Sequence, residues 1–400
     1  MQIVSEAKLR ALLGARPGLP RVPRVVAGGN FATPWRALAI LDETVAEYRL
    51  FMLNAQAGVP DRDGVTLESP FVGPGMRGRE RLQYFPCRLS LVPVLLAGAL
   101  PPDIVLVQTS APAGGTASLG AVSLGTVSLG TEVNVLPAAI EAAHSRGGLV
   151  IAQINPNMPY TYGDAVLPAE AIDYAIEADV PLPSPPPRPV PDACASIGAR
   201  VAALCLRRDL KVWSEMFSDG VLALEKTGAL EPGHLITASF AFGSAELYDW
   251  MDRNPSIRMM RTETINDPAQ IALRPQMTSV NSALQVDLFA QANASRVHDV
   301  IYSGFGGQPD FVVGALHSPG GLAIIALPSW HPKADTSTVV PRLAGPVTSF
   351  QHSYIVSDQG AATIWGHDAA SQAGQIIAQV AHPSVRDGLR EAGRELGFRL

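Results

Sequence analysis

A chain of 400 residues exceeds one average domain, so two α/β domains are the starting expectation. An apolar share of 47% with 6% aromatic residues suits a compact core, and a formal net charge of −6 excludes general attraction to nucleic acid or to an anionic membrane. Three cysteines (Cys87, Cys194 and Cys205) without CxxC spacing exclude a disulfide framework and point to a reducing, cytoplasmic setting. The opening residues lack a signal-peptide cleavage pattern. The longest apolar run, 89–100, is too short for a membrane span and contains Pro93.

Along the chain, residues 5–13 read as a short helix. Residues 24–29 are an apolar strand running into Gly28-Gly29-Asn30, and Thr33-Pro34 opens a helix to about residue 48. Gly73-Pro74-Gly75-Met76-Arg77-Gly78 matches GxGxxG by letter. Ser69-Pro70 before it and Pro74 within it do not supply the strand and helix of a dinucleotide site, so a plain loop is expected. Residues 103–109 (DIVLVQT) and 148–154 (GLVIAQI) are expected as buried parallel strands, with an Ala- and Ile-rich helix over 135–146 completing a βαβ unit. Inside that crossover a pentad repeats as TASLG, AVSLG and TVSLG over 116–130. Three copies are too few for a solenoid, and a duplication that lengthens a loop is expected.

The Pro-rich run 181–191 (PLPSPPPRPVP) cannot donate to a sheet ladder and tends to polyproline II. Residues 184–191 are therefore expected as a linker between domains 1–183 and 192–400. Beyond it come a helix over 192–204, a strand over 210–217 (LKVWSEMF), the turn Ser218-Asp219-Gly220, a helix ending near 227, a strand over 234–242 and a helix over 244–251. Later, 354–357 is a short strand ending at Asp358-Gln359-Gly360. Two helices follow near 369–380 and 383–396, with Ser384 as N-cap and Asp387 at the capping-box position.

The most informative stretch is 280–288. Val280, Leu284, Val286 and Leu288 alternate with Asn281, Gln285 and Asp287, which predicts one strand with a buried and a polar face. Soon after, Gly304, Gly306 and Gly307 remove Cβ atoms from a turn, so that backbone N–H groups can approach a ligand. Residues 322–327 (LAIIAL) read as a fully buried strand. A polar strand face, a glycine loop and a buried strand make the mouth of an α/β active site.

These residues carry a resemblance. NSALQVDLFAQ, SGFGGQPDF and IIALP are similar to the signatures NSA-(I/V)-E-VDL…GQ, SG-x-GGQ-x-DF and (I/V)ALP of the acetyl-CoA hydrolase/transferase family, which includes acetate and 4-hydroxybutyrate CoA-transferases. The resemblance covers nearly the whole chain. It implies two tandem open-sheet α/β domains of the CoA-transferase type (NagB/RpiA-like), with the site at their interface. It implies an acyl-CoA thioester and a short carboxylic acid as substrates, no permanently bound cofactor, and a homo-oligomer. In the family the Glu of the first motif is the nucleophile and becomes a glutamyl-CoA thioester; here that position is Gln285. A strand–loop–helix unit with a glycine loop similar to GIG-x-IP is missing near Cys205. Arg77, Arg79 and Arg81 are within the reach of a CoA phosphate, but a solvated basic turn is the preferred reading.

A carboxylate nucleophile gives an anhydride that a thiolate can open, whereas a neutral amide cannot run that cycle. Gln285 is therefore read either as a binding or water-orienting group or as the mark of a pseudoenzyme. The protein is expected to show little transfer, and Gln285→Glu to raise it. Asp287 is a candidate substitute base, with a structural Asp bonded to loop amides preferred. Gly304, Gly306, Gly307 and Gln308 are candidate thioester-binding residues through an oxyanion-type role. Gln359 and Gly360 are candidates because VSDQG resembles V-(T/S)-E-x-G, with Asp358 for Glu. No metal is expected: the eight histidines show no ligand spacing, and His352 and His382 read as packing or capping groups. GxSxG, P-loop and HExxH motifs are absent. The leading reading is CoA transfer between short acids or thioester hydrolysis. Its rivals are an impaired acyl-CoA-binding homologue and a structural partner of an active paralogue.

Overall fold

Two apolar runs at the centre of the first sheet set the architecture. The computed structural model describes residues 1–400 other than 16, 17, 115, 119, 120, 124, 187, 188, 206–208, 299, 346 and 348–350. Strands β1 (Gln2–Ile3), β2 (Arg24–Ala27), β3 (Tyr48–Phe51), β4 (Val65–Ser69), β5 (Leu82–Tyr84), β6 (Ile104–Thr109), β7 (Leu149–Ile154) and β8 (Tyr174–Glu177) form an eight-stranded parallel sheet in the order β1-β8-β7-β6-β2-β3-β4-β5. Every residue of β6 and β7 is buried. That explains their unbroken apolar sequence, since a parallel sheet is covered on both faces. The helix Leu136–His144 is the expected crossover between them.

A second parallel sheet holds β9 (Trp213–Phe217), β10 (Ile236–Ala241) and β11 (Ile257–Met259), with Tyr162–Gly163 added beyond β11. The chain divides into two compact units, Met1–Pro187 with Arg208–Ile265, and Arg188–Arg207 with Asn266–Leu400. This grouping differs from a cut at 184–191. Residues 208–265 are stitched to the first segment by the Tyr162–Gly163 pairing, by backbone bridges Glu132↔Phe240 and Asn134↔Arg261, and by one shared apolar core.

The GxGxxG letters lie between β4 and β5 with no helix after them, as expected of a loop. Arg79 and Arg81 there pair with Asp61 at 3.1 and 3.6 Å. The first two pentads form an antiparallel pair, Thr116–Ser118 with Ala121–Ser123, and the third, Thr126–Ser128, pairs with Val166–Pro168. The insertion is thus a small hairpin rather than a bare loop.

In the second unit, β12 (Thr278–Ser282), β14 (Leu322–Ala326) and β15 (Tyr354–Val356) are parallel, and β16 (Ala361–Thr363) closes the sheet antiparallel; β13 (Gln285–Asp287) belongs to a separate small sheet, between Ala292–Asn293 and Val339–Val340. The single strand expected over 280–288 is therefore two. The chain breaks at Ala283-Leu284 and changes sheet, so the alternation does not keep one buried face: Val280 is 50% exposed while Asp287 is 4% exposed. The helix Asp192–Cys205 packs Ile197 against Ile324 and Val356, and Ser196 and Arg200 donate to the Asp358 carbonyl oxygen at 3.4 and 3.1 Å. The connection after Cys205, where a strand–loop–helix unit was expected to be missing, begins with 206–208, outside the described residues. Ser384 is not the expected N-cap. It sits in the 3₁₀ turn Pro383–Val385, whose N-cap is His382, with Nδ1 2.7 Å from Ser384 Oγ. Among the described residues no helix is long and apolar enough to cross a membrane, and no cluster of three His, Cys, Asp or Glu is placed to hold a metal.

Candidate functional site

The sequence-predicted residues all lie in the second unit. Gln285 opens β13, is half-buried, and its side-chain amide bonds to no described residue. Gln308 Nε2 donates to the Ser282 carbonyl oxygen at 3.1 Å, which ties the 304–308 loop to the end of β12 just before Gln285. Gly306 has φ 58°, a left-handed conformation cheap only for glycine. Gly307 is the N-cap of the helix Gln308–His317, whose first turn already contains the buried Asp310. That carboxylate offsets part of the positive field that the helix start offers an anion. A shallow hollow beside the loop is lined by Phe305, Gln308, Pro309, Ala292, Ala294 and Ser295, with Val347 at its edge. Gln285 is not part of its wall.

The Asp287 carboxyl is held by backbone amides. Its Oδ1 accepts from the amides of Phe289 and Gln291, both at 3.0 Å, and its Oδ2 from the amide of Leu343 at 3.2 Å. To act as a base it must leave three donors. Asp287→Ala leaves three part-buried amides without their acceptor and is expected to cost about 2–3 kcal/mol. Urea denaturation reads this as a lower midpoint with an unchanged slope.

Gln359 and Gly360 sit apart, in the turn joining β15 to β16, where the Ser357 amide donates to the Gly360 carbonyl oxygen at 2.8 Å. Gln359 Nε2 donates to Asp358 Oδ2 at 2.7 Å, and Asp358 also accepts from the Ser329 amide at 2.6 Å and the Ser329 hydroxyl at 3.1 Å. Burial opposes the charge of Asp358, but these donors outweigh it and hold the carboxyl below its ordinary value. A Cβ on Gly360 would meet the Gln379 carbonyl oxygen at 2.6 Å, so close backbone packing requires glycine there. His352 is fully buried, and burial pushes it down to about 4.

The first unit holds a polar cluster that the sequence reading passed over. Glu132 is 3% exposed, and Asn30 Nδ2 donates to its Oε2 at 2.6 Å. Asn54 Nδ2 donates to Asn30 Oδ1 at 2.9 Å, and Thr262 Oγ1 to Asn134 Oδ1 at 2.6 Å. Burial pushes the Glu132 carboxyl up to about 8; bonds from Asn30 and Asn134 oppose this, and the charge of Glu215 adds to it. Glu215 is half-buried in β9. The β9–β10 register, Ser214↔Ala238 and Met216↔Phe240, sets it level with Ser239, whose buried hydroxyl has no bond among the described residues. In open α/β sheets ligands gather outside the carboxyl ends of parallel strands, which is where β9 runs into Ser218 and the helix Asp219–Lys226. The available signal was the acid in WSEMFSDG, a strand running straight into a Ser-Asp-Gly helix start.

Glu132 gives stability a pH signature. The folded protein keeps its proton up to about 8, whereas the unfolded chain releases it near 4.5, so stability falls as pH rises between those values. Glu132→Gln is expected to stabilise most at and above pH ~8, with the gain shrinking toward pH ~5. Urea titrations at the two pH values measure this; a gain independent of pH contradicts it.

Residues 243–393 match the acetyl-CoA hydrolase/transferase C-terminal domain. The 4-hydroxybutyrate coenzyme A transferase of Clostridium kluyveri is 34% identical over 77% of this chain and 76% of its own length. The chain belongs to the acetyl-CoA hydrolase/transferase family. Another family relative, the succinyl-CoA:acetate/propanoyl-CoA:succinate CoA transferase of Fasciola hepatica, is 30% identical over 88% of this chain and 80% of its own. Among solved structures, RipA from Yersinia pestis superposes with a TM-score of 0.86 at 25% identity, covering 99% of this chain and 98% of that one. The 4-hydroxybutyrate CoA-transferase of Porphyromonas gingivalis gives 0.76 at 27% identity, with the same coverage. The expected α/β open-sheet family fold is the one observed.

Proposed function

We propose that the chain transfers CoA between short carboxylic acids, hydrolysing the thioester when water replaces the acceptor, and that Glu215 carries the chemistry. The observation behind this is the placement of Glu215, a half-buried carboxylate on a parallel strand beside a buried polar cluster. Its carboxylate attacks the acyl-CoA carbonyl and expels CoA thiolate, leaving a mixed anhydride. The thiolate then opens the anhydride at the glutamyl carbonyl, releasing the first acid and forming a glutamyl-CoA thioester. The acceptor carboxylate reverses these steps. Gln285 cannot supply the anion, because a neutral amide does not form the anhydride. The substrates are an acyl-CoA and a short carboxylic acid, with no resident cofactor. The assembly is a homo-oligomer and the setting cytoplasmic.

Gln285 favours a second reading, an acyl-CoA-binding homologue of impaired activity. The test is the purified protein with acetyl-CoA, with and without a carboxylate acceptor, beside Gln285→Glu. The Glu215 reading expects transfer by the native protein and a change of less than about tenfold, roughly 1.4 kcal/mol, in Gln285→Glu. An inert native protein that Gln285→Glu activates supports the second reading instead. Peptide mapping must accompany the assay, because slow deamidation of Gln285 mimics the substitution.

A further inference from the structure

Residues 208–265 return to the first segment of their unit along a seam, and one buried carboxyl lies in it. Residues 131–134 run beside the end of β10. The Ala241 amide donates to the Thr131 carbonyl oxygen at 2.9 Å, and the Val133 and Asn134 amides both donate to the Ser239 carbonyl oxygen, at 3.1 and 3.2 Å. The Thr262 amide donates to the Asn134 carbonyl oxygen at 3.0 Å. Beside these bonds the rings of Phe31 and Phe242 stack with centroids 3.4 Å apart. Glu132 sits in the middle of the seam, bridged to Phe240 and 3% exposed.

Its side chain fastens the seam to a third place. Asn30 Nδ2 donates to Glu132 Oε2 at 2.6 Å and Asn54 Nδ2 to Asn30 Oδ1 at 2.9 Å, so the loops after β2 and β3 grip a residue whose backbone lies against β10. Asn30, Asn54 and Asn134 all adopt left-handed conformations, with φ 48, 45 and 39°. Such residues persist only where their surroundings over-determine them. No neighbouring element brings a free cation. The loops 28–34 and 52–58 and the strand β10 contain no charged residue. Arg261, bridged to Asn134, is paired with Glu141 and Glu263, each at 2.7 Å, and Arg258 of β11 donates to the Pro255 and Ile257 carbonyl oxygens. Glu215 lies on the opposite face of β10 and is the least of the influences on Glu132. Among the described residues Glu132 forms no ion pair.

We propose that Glu132 is a pH-sensitive latch: protonated, it fastens 131–134 to β10 and to the loops after β2 and β3, and on ionising it lets that seam open locally while both sheets stay folded. In the closed seam an ionised carboxyl has no cation and almost no water, which is costly; opening hydrates it. Closed, burial keeps the proton on Glu132 up to about 8, whereas a hydrated carboxyl releases it near 4.5. The latch is therefore strongest below pH ~4.5, weakens as pH rises, and is spent above pH ~8. The far side of the 208–265 segment is fastened by the backbone pairing of β11 with Tyr162–Gly163, which does not titrate, so the seam hinges there.

Native-state hydrogen exchange tests this, on the native protein and Glu132→Gln, at pH ~5.5 and pH ~8 with small additions of urea. After correction for intrinsic exchange rates, the Val133, Asn134 and Ala241 amides of the native protein are expected to exchange at least about tenfold faster at the higher pH. They are expected to do so through openings that hardly respond to urea, because a local opening exposes little surface. The amides of β6 and β7 are the reference: buried in the centre of the first sheet, they open with global unfolding and respond steeply to urea. In Glu132→Gln, which cannot ionise, the rise with pH is expected to vanish. Seam amides that share the urea response of β6 and β7 overturn the proposal, because the seam then opens only on unfolding. An equal rise in Glu132→Gln overturns it as well. If Glu132→Gln does not fold, the native protein decides alone: no rise between the two pH values, or a rise with the full urea response, contradicts the latch. No activity enters these readouts, so failure here leaves the Glu215 reading standing, and failure of that reading leaves the latch standing.

Discussion

Glu215→Gln is expected to lower kcat/KM for CoA transfer by about 10³-fold or more, a loss of about 4 kcal/mol of transition-state stabilisation. The substitution keeps shape and hydrogen-bonding capacity and removes the anion. An amide does not form the mixed anhydride, so both the acyl-transfer half and the CoA-loading half of the cycle stop. The fall is expected in kcat, because the lost interaction is covalent and not part of substrate binding. A loss confined to KM would point instead to a binding role for Glu215.

Gly29→Ala is expected to be the most destabilising single change near the polar cluster. A Cβ there would lie 1.9 Å from the Leu53 carbonyl oxygen and 3.0 Å from its carbon. Both are backbone atoms at the end of a central strand, so neither rotates away. Relief requires moving β2 against β3, and the cost is expected to exceed about 4 kcal/mol, at the far end of single-substitution effects. The unfolding temperature is expected to fall by roughly 10 °C or more. Asn30 is the next residue, so any protein that does fold is expected to lose the Asn30–Glu132 contact and with it the alkaline-pH behaviour. A variant with native stability would mean that the Gly29–Leu53 approach is looser than the geometry shows.

The parallel sheets were legible in the sequence because DIVLVQT and GLVIAQI carry no polar face, and only a strand covered on both sides tolerates that. The stretch 280–288 was misread as one strand because period-2 alternation does not reveal a change of sheet at Ala283-Leu284. Asp287 looked like a face residue for the same reason, although its carboxylate belongs to the turn that follows β13. The glycine loop was legible from its spacing, and the Gln308–Ser282 bond sets it beside β12. The Glu132 cluster was not legible. Asn30, Asn54, Glu132, Asn134 and Glu215 are scattered over 186 positions of the chain, from 30 to 215, and only the pairing of β10 with both β9 and the Glu132 segment relates them. A lone acid within an Ala- and Gly-rich crossover gives no periodic signal. Weight placed on the motif around Gln285 also drew attention from Glu215, an acid within the parallel strand β9.

The most direct measurement is to locate the covalent intermediate. Native protein is incubated with acetyl-CoA without acceptor, quenched in acid, digested and mapped by mass spectrometry, with a hydroxylamine-treated control. The account predicts a hydroxylamine-sensitive CoA adduct on the peptide containing Glu215 and none on the peptide containing Gln285 and Asp287. An adduct on any other carboxylate, or sustained CoA transfer with no covalent adduct on Glu215, contradicts it.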